Sequence, residues 1–209
     1  MKIRSVALGV VLTSQDFVDV AEQSPLQVKL AAVGDHLRAI QETLTTETGY
    51  EVQTLRIYCN SFEEWLLPLF VAPFNMTLES IVLKLTKTLE SIDIQLCSIG
   101  NCQSNEAIAL VPKILSLSAR LSCSVLFRRD EPDAVCPDYA KLLLAAKTCL
   151  DVATLLGDLG NFRFCTSFHC PDGIPFFPAA YRKAHFDESD HKHILTIGLE
   201  NGDSVHQAY

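Results

Sequence analysis

Two segments of alternating polarity carry the side chains best suited to chemistry. In 52–60, Thr54, Arg56, Tyr58 and Asn60 fall on one side of an extended chain and Leu55, Ile57 and Cys59 on the other. In 161–169, Asn161, Arg163, Cys165, Ser167 and His169 share a side opposite Phe162, Phe164 and Phe168. If the apolar sides pack on helices, the polar sides look into the interior of a sheet curled on itself. An inward guanidinium is costly unless it meets an anion, and its planar fork suits a carboxylate or a phosphate. Arg56 and Arg163 are therefore a candidate clamp for a small anionic substrate, with Asn60, Asn161 and Ser167 as hydrogen-bonding neighbours. The competing reading is a pair of internal salt bridges with Glu51, Glu63, Glu64 or Glu200. Active sites in parallel α/β folds favour the C-terminal ends of strands, which brings Asn60, Glu63, Ser167, His169 and Glu200 into range. His169 is the candidate general base, because imidazole titrates near neutrality, and Glu200 is the second catalytic candidate. Cys165 and Cys170 flank His169, but nothing in the sequence orients a Cys–His nucleophile pair.

Other polar clusters carry less. The stretch 185–193 holds His185, Asp187, Glu188, Asp190, His191 and His193, yet its spacing matches no usual metal site, and it reads as a solvated loop. No glycine-rich phosphate loop occurs, so no metal and no cofactor are expected. Pro171-Asp172-Gly173-Ile174-Pro175 has the chemistry of a turn, and Phe176-Phe177-Pro178 reads as core packing, with a plug of the barrel mouth or the packing of a lid as the alternatives.

The elements that must position these residues alternate. Strand-like segments begin near Ile3, Val52, Ile94, Cys123, Phe162 and Ile194. Leu26, Leu30, Val33, Leu37, Ile40 and Leu44 mark one helix face, with Ser24 as cap, Pro25 at the first position and Gly49 past the end. Leu78, Ile81, Val82, Leu85, Leu89 and Ile92 mark a second, capped by Thr77. Ile108, Val111, Ile114, Leu115 and Leu121 suggest a third, with a kink or late start at Pro112. Tyr139, Leu142, Leu143, Ala146, Cys149, Leu150, Ala153 and Leu156 mark a fourth, opened by Pro137 and closed by Gly157. Continuous apolar strands joined by helices predict an α/β fold of repeated β-α units with a mainly parallel sheet. No linker or low-complexity tract divides the chain, so 1–209 reads as one domain. The segment 203–209 looks like a cap followed by barely one helical turn. The last strand therefore lies at an edge, or the chain is a truncated piece of a longer protein.

The chain has 209 residues, 48% hydrophobic and 20% charged, with a net charge of −8. Such a balance excludes disorder for the body of the chain and argues against nucleic-acid binding. The longest uncharged stretch, 65–78, contains Pro68 and Pro73 and is too short to span a bilayer, so no membrane partner is expected. The eight cysteines lack any CxxC spacing and sit largely in apolar runs, so they read as reduced and buried. Lys2 and Arg4 precede a short apolar run without a cleavage site, which reads as a buried first strand. Together these place the protein in the cytoplasm.

Two motifs carry a family resemblance: 49–66, Gly-Tyr-Glu-Val-Gln-Thr-Leu-Arg-Ile through Asn-Ser-Phe-Glu-Glu-Trp-Leu, and Gly160-Asn161-Phe162-Arg163-Phe164 followed by Pro175-Phe176-Phe177-Pro178-Ala179-Ala180-Tyr181. The start Met1-Lys2-Ile3-Arg4 and 197–201 fit the same pattern. The chain resembles, in order, the N-terminal half of the uncharacterised family called domain of unknown function 711. The resemblance implies an incomplete ten-stranded β/α barrel related in fold to pyruvate formate-lyase and other glycyl radical enzymes. It assigns no catalytic role to any residue, and no glycyl-radical loop is found. Two functions follow as expectations: a small-molecule metabolic enzyme binding an anionic metabolite inside the barrel, or a non-catalytic accessory or remnant protein of a biosynthetic pathway. The second acts by association, since half a barrel leaves sheet edges that can pair with another copy.

Overall fold

A computed structural model describes residues 2–20, 24–127, 138–168, 170, 174–183 and 194–200. The strands are β1 (Lys2–Val10), β2 (Leu55–Cys59), β3 (Leu96–Cys102), β4 (Leu121–Phe127), β5 (Phe164–Phe168) and β6 (Ile194–Glu200). The helices are α1 (Pro25–Thr48), α2 (Phe62–Trp65), α3 (Leu78–Ser91), α4 (Asn105–Leu117) and α5 (Tyr139–Leu156). One sheet runs in the order β5-β4-β3-β2-β1-β6. Strands β1 to β5 are parallel, each beside its predecessor. Crossovers of one hand between successive neighbours put the helices on one face, and the sheet curls into a half-barrel. The sixth strand does not prolong that arc beyond β5. It returns to β1 and pairs antiparallel, Lys2 opposite Glu200 and Gly9 opposite Ile194.

Most helix ends follow their cap chemistry, but Ser24, at the N-cap of α1, makes no side-chain cap hydrogen bond. Pro25 opens α1 and Gly49, at φ 70°, terminates it. Thr77 caps α3, Ser104 caps α4, and the Asp138 carboxylate accepts from Ala140 and Lys141 to start α5. Of the kink or late start expected at Pro112, the late start is not found: helix α4 starts at Asn105, runs through Pro112 as one element and ends at Leu117, so Leu121 belongs to β4 and not to this helix. Its buried face, Ile108, Val111, Ile114 and Leu115, supplies the packing that outweighs one missing hydrogen bond. In α5 the buried positions are Ala145, Thr148 and Val152, while Tyr139, Leu143 and Leu150 are exposed. The stripe read from the sequence there is therefore rotated. A helix apolar on several sides has no periodicity strong enough to choose its inner face, and small residues win where helix and sheet approach closely.

The convex face of the sheet and the helices share one continuous core. Val6, Leu8, Ile57, Cys59, Cys97, Ile99, Cys123 and Val125 point into it, alternating with residues of the concave face. Trp65 stacks on Phe17 with ring centroids 5.1 Å apart. Strand β3 carries a bulge: Ser98 pairs with Ser122, but Asn101 pairs with Ser124. The extra residue turns at Gly100, where φ is 87° and a Cβ would lie 2.2 Å from the Asn60 carbonyl oxygen. Only glycine fits this turn, and it brings Asn101 round to the concave face.

Candidate functional site

The concave face is built from short and polar side chains. Ala7, Gly9, Arg56, Tyr58, Asn60, Ser98, Asn101, Ser122, Ser124, Cys165 and Ser167 follow from the registers and the alternation of the strands. The segment 174–183 lies across its β1–β3 part as a strap. Ser98 Oγ donates to the Ala180 carbonyl at 2.6 Å, the Arg182 amide donates to Cys59, and Arg182 Nη1 donates to the Gly9 carbonyl at 2.9 Å. Ala180 packs on Ala7 and Tyr58.

Arg56 lies at the edge of this strap. Its Nε donates to Thr54 Oγ1 at 3.1 Å, and its guanidinium carbon sits 5.1 Å from the Phe177 ring centroid, a cation–π distance. A recess of about 220 Å³ opens beside it, lined by Ser5, Ala7, Pro175, Phe177, Thr196 and Gly198 among others. Arg56 has no carboxylate partner among the described residues. Burial pushes its guanidinium below the usual value, and the like charge of Arg4 adds to that push. An anion in the recess would oppose both effects. Phe177, expected in the core, is instead half-buried against this strap cluster, and Phe176 is exposed.

The other residues singled out from the sequence disperse. Asn60 is buried on the concave face, but its amide is consumed: Oδ1 accepts from the Leu12 amide, and Nδ2 donates to the Leu12 carbonyl and to Glu64 Oε2. It stitches the end of β2 to the chain leaving β1. Glu63 accepts from the Ser104 amide at 2.6 Å and from its hydroxyl, and so anchors the start of α4. Ser167 and Cys165 are on the concave face of β5, with Ser167 buried.

Arg163 does not share the interior with Arg56. The residues Asp158–Arg163 form a 3₁₀ turn, and β5 begins only at Phe164. The alternation read from the sequence therefore stops short of Asn161 and Arg163. Asn161 is exposed, as is Phe162. Arg163 Nη1 donates to the carbonyls of Leu115, Ser118 and Leu121, at 3.2, 2.7 and 3.2 Å, tying the end of α4 to the start of β4. Its partners are backbone oxygens, not the glutamates considered for it. Glu200 is exposed and lies opposite Lys2, at the N-terminal end of β1. Because β6 runs antiparallel, its C-terminal end is at the far end of the sheet from Asn60 and Ser167, not beside them. His169, His185, His191 and His193 lie outside the described residues.

Three features of this face went unread in the sequence. Arg182 is buried, at 4% exposure, and no local pattern marks it. Ser122 and Ser124 alternate with Cys123 and Val125, a period-two signal for a polar strand face that was legible. Asn101 was not legible, because the bulge at Gly100 changes its side.

A second recess, of about 350 Å³, lies between α1 and the end of β1, with Val10, Val11, Val33, Lys29, His36 and Arg182 on its walls. Its Lys29 is held by Asp16 at 2.6 Å and is thereby neutralised.

The family model described as Uncharacterised ACR (DUF711) matches residues 1–209. The chain belongs to the DUF711 family. No curated protein matches it. Among the described residues of this DUF711 chain, no helix is long and apolar enough to cross a membrane, and no group of three or more His, Cys, Asp or Glu side chains is placed to hold a metal ion. Seven cysteines are free thiols, and Cys136 lies outside the described residues. Cys59 and Cys97 approach to 3.9 Å in the convex core. The Cys97 thiol is pushed well up by its contact with Cys59 and by burial; Cys102 and Cys123 are pushed up chiefly by burial. Thiols so placed are inert at neutral pH.

Proposed function

We propose that this DUF711 chain binds a small anionic metabolite, a carboxylate or a phosphate, on the concave face of a β/α barrel, with Arg56 as the partner of the anion. The observation that supports this reading is a half-buried guanidinium without a carboxylate among the described residues, beside a recess that also holds the Ser5 and Thr196 residues and the Phe177 ring. A volume of about 220 Å³ falls below the usual range for drug-sized ligands and suits a compact metabolite. The fold reading that accompanies it is an incomplete barrel of the pyruvate formate-lyase type, and the setting is cytoplasmic small-molecule metabolism. Among the described residues no carboxylate, imidazole or thiol lines the recess, so the proposal extends to binding and not to a reaction.

The test is calorimetric titration of the protein with inorganic phosphate, lactate and malonate, alongside the Arg56→Gln variant. Saturable binding of at least one probe, weakened tenfold or more in the variant, is the expected result. Equal binding by both proteins, or no binding of any probe, overturns the proposal.

A second reading rests on a different observation. Leu195, Ile197 and Leu199 continue the convex core onto β6 but are 43–52% exposed. An apolar strip on an edge strand favours association with another chain or copy. Light scattering across a concentration series distinguishes this role: a concentration-independent monomer excludes it.

A further inference from the structure

The concave face contains a second anomaly, on the β3–β4 side, away from Arg56. Asn101 Nδ2, Ser122 Oγ and Ser124 Oγ are closed off from solvent and, among the described residues, have no hydrogen-bond partner. Their residues are 2%, 3% and 1% exposed. Asn101 and Ser124 are direct neighbours across the two strands, and Ser122 stands two residues earlier on the same face of β4. The strap separates them from the Arg56 recess, because its Pro178 and Ala180 carbonyls accept from Ser98, the strand neighbour of Ser122.

Buried polar groups are nearly always satisfied, and a cluster of orphans needs a reason. Three on adjacent positions of one face are not a packing accident of a single side chain. The bulge strengthens the point. Simple alternation from Ser98 would place Asn101 toward the convex core; the turn at Gly100 brings it beside Ser124 instead. That turn is fixed from outside, since the Asn60 carbonyl leaves no room for a Cβ and Ser61 Oγ donates to the Asn101 carbonyl at 2.7 Å. Bulges that re-aim a side chain in this way recur beside functional sites.

We propose that Asn101, Ser122 and Ser124 form a neutral hydrogen-bonding subsite for the hydroxyl- or carbonyl-bearing part of a small polar molecule. The chemistry sets the class. The Asn101 amide donates, and each serine hydroxyl either donates or accepts. No charged side chain on β3 or β4 shares this face, so the group recognised is an alcohol or carbonyl oxygen. A site whose buried polar groups await a hydroxyl discriminates strongly against analogues lacking it. This subsite goes beyond the Arg56 reading and stands without it.

The experiment uses glycerol, glycerate and propionate as probes, with thermal unfolding and calorimetric titration of wild type, Arg56→Gln and the double variant Ser122→Ala/Ser124→Ala. The subsite is expected to give glycerate binding at least tenfold tighter than propionate in wild type, with glycerol raising the melting temperature. In the double variant the preference for glycerate over propionate and the glycerol effect are lost, while the ligand-free melting temperature is unchanged or higher, because orphaned hydroxyls have been removed. In Arg56→Gln the glycerol effect persists, which separates this subsite from the anion site. Equal affinity for glycerate and propionate in wild type, absence of any glycerol effect, or a double variant that keeps both responses overturns the proposal. A double variant with a lowered ligand-free melting temperature also overturns it, because the hydroxyls would then be bound to permanent internal water as part of the fold. Asn101→Ser, which shortens the donor and keeps the face polar, is expected to weaken the glycerate preference on its own.

Discussion

The two faces of the sheet use arginine in opposite ways. On the convex side Arg163 is spent: one nitrogen gathers three backbone carbonyls where α4 ends and β4 begins. On the concave side the outer nitrogens of Arg56 meet no acceptor among the described residues, with its Nε on Thr54 and its plane near Phe177. Flanking sequence does not distinguish them, since each sits in a run of alternating polar and apolar residues. The difference lies in the backbone. Arg56 is inside a regular strand, and Arg163 ends a 3₁₀ turn, so its side chain leaves from the sheet's margin. A cation's role is therefore decided by what its backbone lets it reach, and carbonyls left over at a helix end are as effective a partner as a carboxylate.

The contrast between faces predicts where stability resides. The largest effect is expected from convex-core truncation. Trp65→Ala removes a fully buried ring stacked on Phe17 and should cost about 3–5 kcal/mol in urea unfolding. Arg163→Met should cost less, about 2 kcal/mol, because it strips a charged donor from carbonyls at the end of α4; Arg163→Lys should recover part of this, because a single nitrogen makes all three contacts and an ammonium also carries three donors. Loss of stability in Arg56→Gln equal to that in Arg163→Met would break the contrast, since the concave arginine is expected to contribute less than about 1 kcal/mol.

Titration sharpens it further. Burial raises the Tyr58 hydroxyl and the Cys102 and Cys123 thiols above their ordinary values, and the contact with Cys59 together with burial raises the Cys97 thiol. Groups raised in the folded state bind their protons more tightly there than in the unfolded chain. Their contribution is complete below the unfolded values, near 8.5 for thiols, and is lost as pH rises toward the folded ones. Stability should therefore fall progressively above about pH 8.5, with a smaller slope in Tyr58→Phe. In the same samples, a thiol reagent at neutral pH should spare Cys59, Cys97, Cys102 and Cys123 and reach the half-buried Cys149, Cys165 and Cys170. Modification of Cys97 in the folded protein would contradict the closed convex core.

Much of the architecture was legible in the sequence. All six strands, and the helices at Pro25–Thr48 and Leu78–Ser91, follow from periodicity and cap residues, because burial of one face leaves a strong imprint there. The orientation of α5 was not, since an apolar residue on nearly every side erases the imprint. Of the candidate site, Arg56 is on the concave face as its alternation implies. Arg163 and Asn161 are not, because a short turn at 158–163 ends the alternation one step before Phe164. Glu200 was misplaced by a fact no local pattern carries, the antiparallel return of β6 to β1. Asn101 was hidden by a single bulge.

We propose the concave arginine, and not the convex one, as the anion site. Crystals soaked with selenate and measured at the selenium absorption edge test it directly. The expected result is an anomalous peak within hydrogen-bonding distance of the Arg56 guanidinium, absent in Arg56→Gln crystals, with no peak at Arg163. A peak at Arg163, or an empty recess beside Arg56 at saturating selenate, would contradict it.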